Sequence, residues 1–320
     1  MKEAIISQGP QVEIIESPIP TPAGGQVLIR NFGDNMAGYV ESVGPGVFEF
    51  QPDDLVAAFH EMYTPHGSFA EYAIAPANTT FPLPQNISFE QAATVPLASM
   101  TGAKNIYRIP PLVFYGAGAA VGNFAVQLAR KSQLHPLICV AGQSKDHVET
   151  LIDRSKGDTI IDYRLGPEHV VAEIKKAVGG KPLLYAFDSV AEKGSDKILG
   201  AVIDPPNGKI AMVRPNDRTK ICKTPGVKMD FFTLPKMEGV PEAVEAFWTA
   251  VGSVHGADKH FGFVFSRYIA LGLEEGWFKP HPFEVIPGGL NGLTDGLTRL
   301  LTGQAHAVKY VYRIGKHDCK

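Results

Sequence analysis

The stretch Leu112-Val113-Phe114-Tyr115-Gly116-Ala117-Gly118-Ala119-Ala120-Val121-Gly122 constrains this chain more than any other. Four apolar residues read as a buried strand, and the small residues after them as a tight turn. Val121, Ala125, Leu128 and Ala129 then recur at helical spacing. A strand, turn and helix of this kind leave backbone N–H groups free at a helix N-terminus, at the positive end of its dipole. Small residues let that backbone approach a phosphate closely, and Gly122 in the first helical turn permits tight packing on a sheet. The spacing is G-x-G-x-x-x-G, one residue longer than the dinucleotide-binding fingerprint G-x-G-x-x-G. A junction without any ligand has the same local pattern, so the flanking sequence decides.

Downstream, apolar runs at residues 136–140, 159–161, 183–187 and 209–213 read as strands. Helical patterns fall between them, one with Val170, Ile174 and Ala177 on its apolar face. Strand–helix alternation predicts an α/β fold, a doubly wound parallel sheet covered on both faces. The first ninety residues differ. Short strands are predicted at 4–6, 12–15, 27–29, 39–43, 55–59 and 70–74, with glycine and proline punctuation between them. Ser88-Phe89-Glu90-Gln91 reads as a helix start, Ser88 capping and Gln91 closing a capping box. A longer helix is predicted over 258–275, with Phe261, Phe265, Tyr268 and Ile269 inward, and a last strand over 308–314. The 320 residues suffice for two domains. The expected division is a β-rich unit of residues 1–98 with 280–320, and an α/β unit of residues 99–279.

Composition excludes several function classes. A formal net charge of -3 carries no electrostatic footprint for nucleic acid. No run has the apolar length of a membrane span, and the N-terminal residues lack the apolar core of a secretory signal. Cys139, Cys222 and Cys319 are too scattered for a zinc lobe or a disulfide framework. A cytoplasmic protein with no metal is expected.

The second strand of the α/β part ends in Ala141-Gly142-Gln143-Ser144-Lys145. An NAD site places Asp or Glu at such a strand end, on the ribose 2′-hydroxyl. No acid stands there. The hydroxyl of Ser144 and the ammonium of Lys145 suit a 2′-phosphate, and Tyr163 after the third strand can add a phenolic donor. The same two residues are also what a helix N-cap and a solvated first turn would have. Beside the glycine turn, the reading favoured is NADPH. The cofactor set is then Gly116, Ala117, Gly118, Ala119, Ala120, Val121, Gly142, Ser144, Lys145 and Tyr163.

Other segments carry a family likeness. Gly33-Asp34-Asn35-Met36-Ala37-Gly38-Tyr39-Val40-Glu41-Ser42-Val43-Gly44, Pro52-Asp53-Asp54-Leu55-Val56, Gly67-Ser68-Phe69-Ala70-Glu71-Tyr72, Pro96-Leu97-Ala98-Ser99-Met100-Thr101 and Val308-Lys309-Tyr310-Val311 follow one another in order. With the glycine turn, the chain resembles the medium-chain dehydrogenase/reductase superfamily. The likeness is to its zinc-independent branch of quinone reductases and fungal trans-acting enoyl reductases. The resemblance implies a Rossmann domain joined to a GroES-like β-rich domain. It also implies hydride transfer from NADPH to an α,β-unsaturated carbonyl (an enone or enoyl group) or to a quinone, and a polyketide synthase as possible partner.

The zinc-dependent relatives carry Gly-His-Glu where this chain has Gly33-Asp34-Asn35, and His60 and Glu61, adjacent on a strand, point to opposite faces. No metal is expected. The resemblance places Thr101 beside the nicotinamide carboxamide and counts Val213 among the cofactor contacts. Lys309 would hold the cofactor or face a developing oxyanion. Tyr63 or His60 would donate a proton. Helix capping by Thr101, a surface Lys309 and a packed Tyr63 are the plainer alternatives. The segment between Arg30 and Gly33 is shorter than in the family, as is the approach from Tyr107 to Pro111. A nucleotide-binding protein without turnover therefore stands as a second reading beside the reductase.

Overall fold

The computed structural model describes residues 1–6, 10–33, 36–104, 110–213, 238–249 and 251–314. The chain divides into two compact units, Met1–Met100 with Val251–Lys320, and Thr101–Ala250.

In the first unit, β1 (Lys2–Ile6) pairs antiparallel with β2 (Val12–Glu16). A five-stranded antiparallel sheet is built from β3 (Gln26–Gly33), β4 (Ala37–Val43), β5 (Leu55–Ala58), β6 (Tyr72–Pro76) and β7 (Thr80–Pro82). Its spatial order is β6-β3-β4-β5-β7. Val27, Ile29, Val40, Val56 and Ala73 fill its core with Met36 and Phe50. The alternate residues Val27 and Ile29 share that face, as a two-residue period requires.

The second unit carries the predicted parallel sheet. Its strands are β8 (Leu112–Tyr115), β9 (Leu137–Ala141), β10 (Thr159–Asp162), β11 (Tyr185–Asp188), β12 (Lys209–Met212) and β13 (Glu245–Trp248). They lie in the order β10-β9-β8-β11-β12-β13, every pair parallel. Within this sheet that order is 3-2-1-4-5-6, the doubly wound arrangement whose direction of winding reverses between its first and fourth strands, here β8 and β11. Both faces are covered. Leu112, Phe114, Leu137 and Cys139 point into one core, and their neighbours Val113, Tyr115, Ile138 and Val140 into the other.

The remaining pair, β14 (Phe283–Ile286) and β15 (Lys309–Tyr312), is parallel and belongs to the first unit. The last strand therefore does not join the six-stranded sheet. The division differs from the sequence expectation over residues 251–279, which fall in the first unit. The helix Lys259–Glu274 shows why. Its Arg267 donates to the carbonyls of Asn78 (3.0 Å) and Ala77 (3.3 Å) and pairs with Glu49. Just before it, Val251 and Val254 pack with Phe59 and Met100. The buried face of this helix is also rotated from the expected one. Gly262, Ser266, Ile269, Ala270 and Leu273 are buried, while Phe261, Phe265 and Tyr268 lie half-exposed beside it. Glycine and serine bring the helix axis close, which leaves the large rings at the flanks.

Candidate functional site

The glycine turn sits where the winding of the sheet reverses. Gly116 has φ +79, a left-handed conformation that glycine adopts without strain. The N–H groups of Gly116 and Ala117 both donate to Val140 O (3.0 and 3.1 Å), and Ala119 N donates to Gly116 O at 2.9 Å. The helix Ala120–Lys131 then starts from Ala119, which provides no side-chain cap, and no acidic residue occupies its first turn. Gly116, Ala119, Ala120 and Val121 are partly exposed there. An uncapped helix N-terminus of twelve residues, opening at the carboxyl edge of a parallel sheet, is a fit for a pyrophosphate. Gly122 is required at its place, since a Cβ would lie 2.3 Å from Gly116 O.

From the neighbouring strand, Ser189 fixes this turn. Its hydroxyl lies 3.0 Å from Tyr115 O and 2.8 Å from Gly116 O, so it donates to the carbonyls that open the turn. Asp188, the last residue of β11, accepts from Val190 N (3.0 Å) and Ala191 N (2.7 Å) and holds the loop that carries Ser189. Burial raises the Asp188 carboxyl above the usual carboxylate range, and its hydrogen bonds work against that rise. Tyr115 beside it is pushed up to about 12, first by burial and then by the charges of Asp188 and Tyr163. Neither Asp188 nor Ser189 was signalled in the sequence, where the apolar run ends at Phe187.

At the carboxyl edge of β9 and β10, Ala141 and Asp162 stand opposite each other. Immediately beyond them, Tyr163 lies over Gly142, where a Cβ would fall 2.5 Å from the ring. Ser144 lies over Gly118, where a Cβ would fall 1.9 Å from its Oγ. Ser144 precedes the short helix Lys145–Glu149 but makes no capping hydrogen bond. Lys145 lies close enough to Asp162 to help hold its carboxyl low. Gly116, Gly118, Gly142, Ser144, Lys145 and Tyr163 thus gather at one edge of one sheet. Two residues that the sequence reading passed over join them. Asp162 accepts from Arg164 N at 3.0 Å and from Arg164 Nε at 2.8 Å. That pair, astride Tyr163 at a strand end, was the signal available.

The residues expected on the substrate side are placed as follows. Thr101 is buried in the helix Pro96–Ala103, and Val213 directly follows β12. Lys309 opens β15, and its ammonium donates to Ala93 O at 3.3 Å. Tyr63 is 71% exposed, in a loop where its own φ is +64. His60 Nδ1 donates to Ile74 O at 2.7 Å, and its Nε2 lies 3.2 Å from the Thr64 hydroxyl. Both ring nitrogens therefore brace the loop that carries Tyr63. Asp34, Asn35, Tyr107, Phe231, Phe232, Cys222 and Cys319 lie outside the described residues. Among the described residues no group of three or more His, Cys, Asp or Glu could hold a metal ion. No helix among them is long and apolar enough to cross a membrane.

No family model matches the chain. A trans-enoyl reductase of Gibberella fujikuroi is 40% identical over 330 residues, covering 91% of this chain and 92% of that protein. A second, from Aspergillus sclerotiorum, is 28% identical over 373 residues and covers 98% of this chain and 100% of that protein. Among solved structures, the CurK enoyl reductase superposes with a TM-score of 0.76 at 17% identity, covering 98% of this chain and 99% of that one. A quinone oxidoreductase of Pseudomonas syringae gives 0.74 at 19% identity, with 98% and 99% covered. The two structures share the fold; the Gibberella protein, by identity and coverage, shows the family. The chain belongs to the fungal trans-enoyl reductases of the medium-chain dehydrogenase/reductase family, oxidoreductases that work with a nicotinamide cofactor.

Proposed function

We propose that this chain reduces the carbon–carbon double bond of an α,β-unsaturated carbonyl, an enoyl thioester, with NADPH and without metal. The observation that carries the reading is the edge of β9 and β10. Ser144, Lys145 and Tyr163 converge there beside an uncapped glycine turn, and no acid ends β9. A carboxylate at that strand end would repel a 2′-phosphate; a hydroxyl and an ammonium attract it.

When bound, the nicotinamide supplies the hydride. The remaining backbone N–H groups at the uncapped start of the helix Ala120–Lys131 would hold the pyrophosphate, and Ser189 keeps the turn in shape. Thr101 and Val213 are the residues proposed for the nicotinamide end. Hydride arrival at the β-carbon leaves negative charge on the carbonyl oxygen, which a cation stabilises. Lys309 is proposed for that task, and Tyr63, exposed on its braced loop, for protonation. The relatives are trans-enoyl reductases, which supports an enoyl substrate; a polyketide synthase as the partner that presents it, in the cytoplasm, belongs to the same proposal.

The test follows NADPH absorbance with enoyl thioesters, enones and quinones offered in turn. Steady oxidation with enoyl thioesters, lost in Lys309→Ala, is the expected result. Tight NADPH binding with no turnover on any of the three classes overturns the reading. Independently, Lys145→Ala should weaken NADPH binding by about tenfold, the worth of one charge-assisted hydrogen bond, and leave NADH binding unchanged.

A further inference from the structure

We infer that Arg164 is a specificity-determining residue of the cofactor site, a guanidinium held ready by Asp162 for the 2′-phosphate; this rests on the NADPH reading. Asp162 and Arg164 flank Tyr163, whose ring covers Gly142 at the edge where Ser144 and Lys145 stand. Arg164, from the turn after β10, pairs directly with the Asp162 carboxylate, and the charge of Lys145, from the helix after β9, acts on the same carboxylate from farther off.

The geometry fixes the guanidinium. Asp162 accepts from the backbone N–H of Arg164 (3.0 Å), from its Nε (2.8 Å) and from its Nη2 (2.5 Å). One carboxylate thus sets both the turn and the side chain, and the Nη1 edge stays outside the pair. An arginine has five N–H donors in a rigid plane, so a fork engaged on one side still presents donors on the other. Asp162 matters for a second reason. Arg164 holds its carboxyl low, at about 2, so it is ionised throughout the neutral range. Left unpaired, that charge would oppose a phosphate carrying about -1.5 to -2. Arg164 supplies a donor and cancels the opposing charge together. A lysine could not do both with one point charge.

The predicted behaviour differs from that of a surface ion pair that only braces its turn. Such a pair would move stability and leave ligand discrimination alone. The experiment is calorimetric titration of the full chain with adenosine 2′,5′-bisphosphate and adenosine 5′-monophosphate, ligands that differ by the one phosphate. Arg164→Ala and Arg164→Gln should each weaken the bisphosphate by about tenfold or more and leave the monophosphate unchanged. Asp162→Asn added to Arg164→Ala should recover part of the loss, because the unmasked charge is gone. If both Arg164 variants keep the wild-type discrimination while Lys145→Ala loses it, the inference is overturned and the NADPH reading stands. If the wild-type chain itself does not distinguish the two ligands, both fall.

Discussion

Gly118 has no space for even one more carbon. A Cβ there would meet Ser144 Oγ at 1.9 Å and Ser144 Cβ at 2.3 Å. Alanine at this position must push Ser144 away from the turn. Gly118→Ala is therefore expected to weaken NADPH binding, measured by fluorescence titration, while costing about 1–3 kcal/mol of stability from overpacking. Unchanged binding would mean that Ser144 is not a contact. A histidine gives a pH prediction. His255 donates through Nε2 to Phe59 O at 3.0 Å, with its ring 4.6 Å from that of Phe59. Burial holds its pKa below the ordinary 6.5; the bond to Phe59 and the charge of Glu61 oppose the shift, and His60 adds to it. The unfolded chain then binds the proton more readily than the folded one. Stability is full above about 6.5 and falls as the pH drops below that value toward the folded pKa. Burial shifts His147 in the same direction. The melting temperature should be lower at about pH 5 than at about pH 7, with a smaller difference in His255→Gln. An identical pH profile in that variant would show that His255 contributes nothing to it. At this scale the glycines, Ser144, Lys145 and Tyr163 could be proposed as a group from the sequence, because each is a residue type with an obvious chemistry at a turn or strand end, and they do lie at one sheet edge. Ser189 could not be, because its bonds to Tyr115 O and Gly116 O come from β11 standing beside β8, which no local pattern encodes.

Elements were legible where local signals agreed. The capping box is present as read: Gln91 N donates to Ser88 Oγ (3.2 Å) and Ser88 N to Gln91 Oε1 (2.9 Å). Ser88→Ala should cost about 1 kcal/mol, measurable as a shift in the urea midpoint with unchanged slope. No shift would mean that solvent replaces the cap fully. β8 and β9 were found because four- and five-residue apolar runs in a buried parallel strand have no polar alternation to confuse them. β13 was missed. Glu-Ala-Phe-Trp is short, begins with a charge and stands at the sheet edge, so its pairing with β12 alone makes it a strand. β14 was missed for the same reason, being defined by β15 from far along the chain. The short stretch after Arg30 is the departure with the clearest structural form. The segment from Arg30 to Gly33, where the resemblance implies a longer stretch, lies within β3, which stays paired with β4 as far as Gly33 opposite Ala37. On the proposed reading, donors for the substrate come from other elements, and Lys309 is the one substituted in the test above.

For the molecule as a whole, the two units differ in how the chain builds them. Residues 101–250 are contiguous, whereas the first unit is assembled from both ends of the chain. The contiguous unit has two cores of its own, one on each face of the six-stranded sheet, with Phe114, Leu137 and Phe187 in one and Ile138, Ile174 and Met212 in the other. A sheet covered on both faces within about 150 residues has the size and burial of an independently stable domain. Every residue assigned to the 2′-phosphate and the pyrophosphate also lies inside it: Gly116 to Val121, Gly142, Ser144, Lys145, Tyr163 and Arg164. Lys309, Tyr63 and His60 lie in the other unit. A fragment of residues 101–250 should therefore fold cooperatively, by circular dichroism, and bind adenosine 2′,5′-bisphosphate with an affinity comparable to that of the full chain. It should not oxidise NADPH with any enoyl thioester. A folded fragment that fails to bind the bisphosphate would show that the adenosine end of the cofactor needs the first unit. A folded fragment that turns over substrate would remove Lys309 and Tyr63 from the reaction.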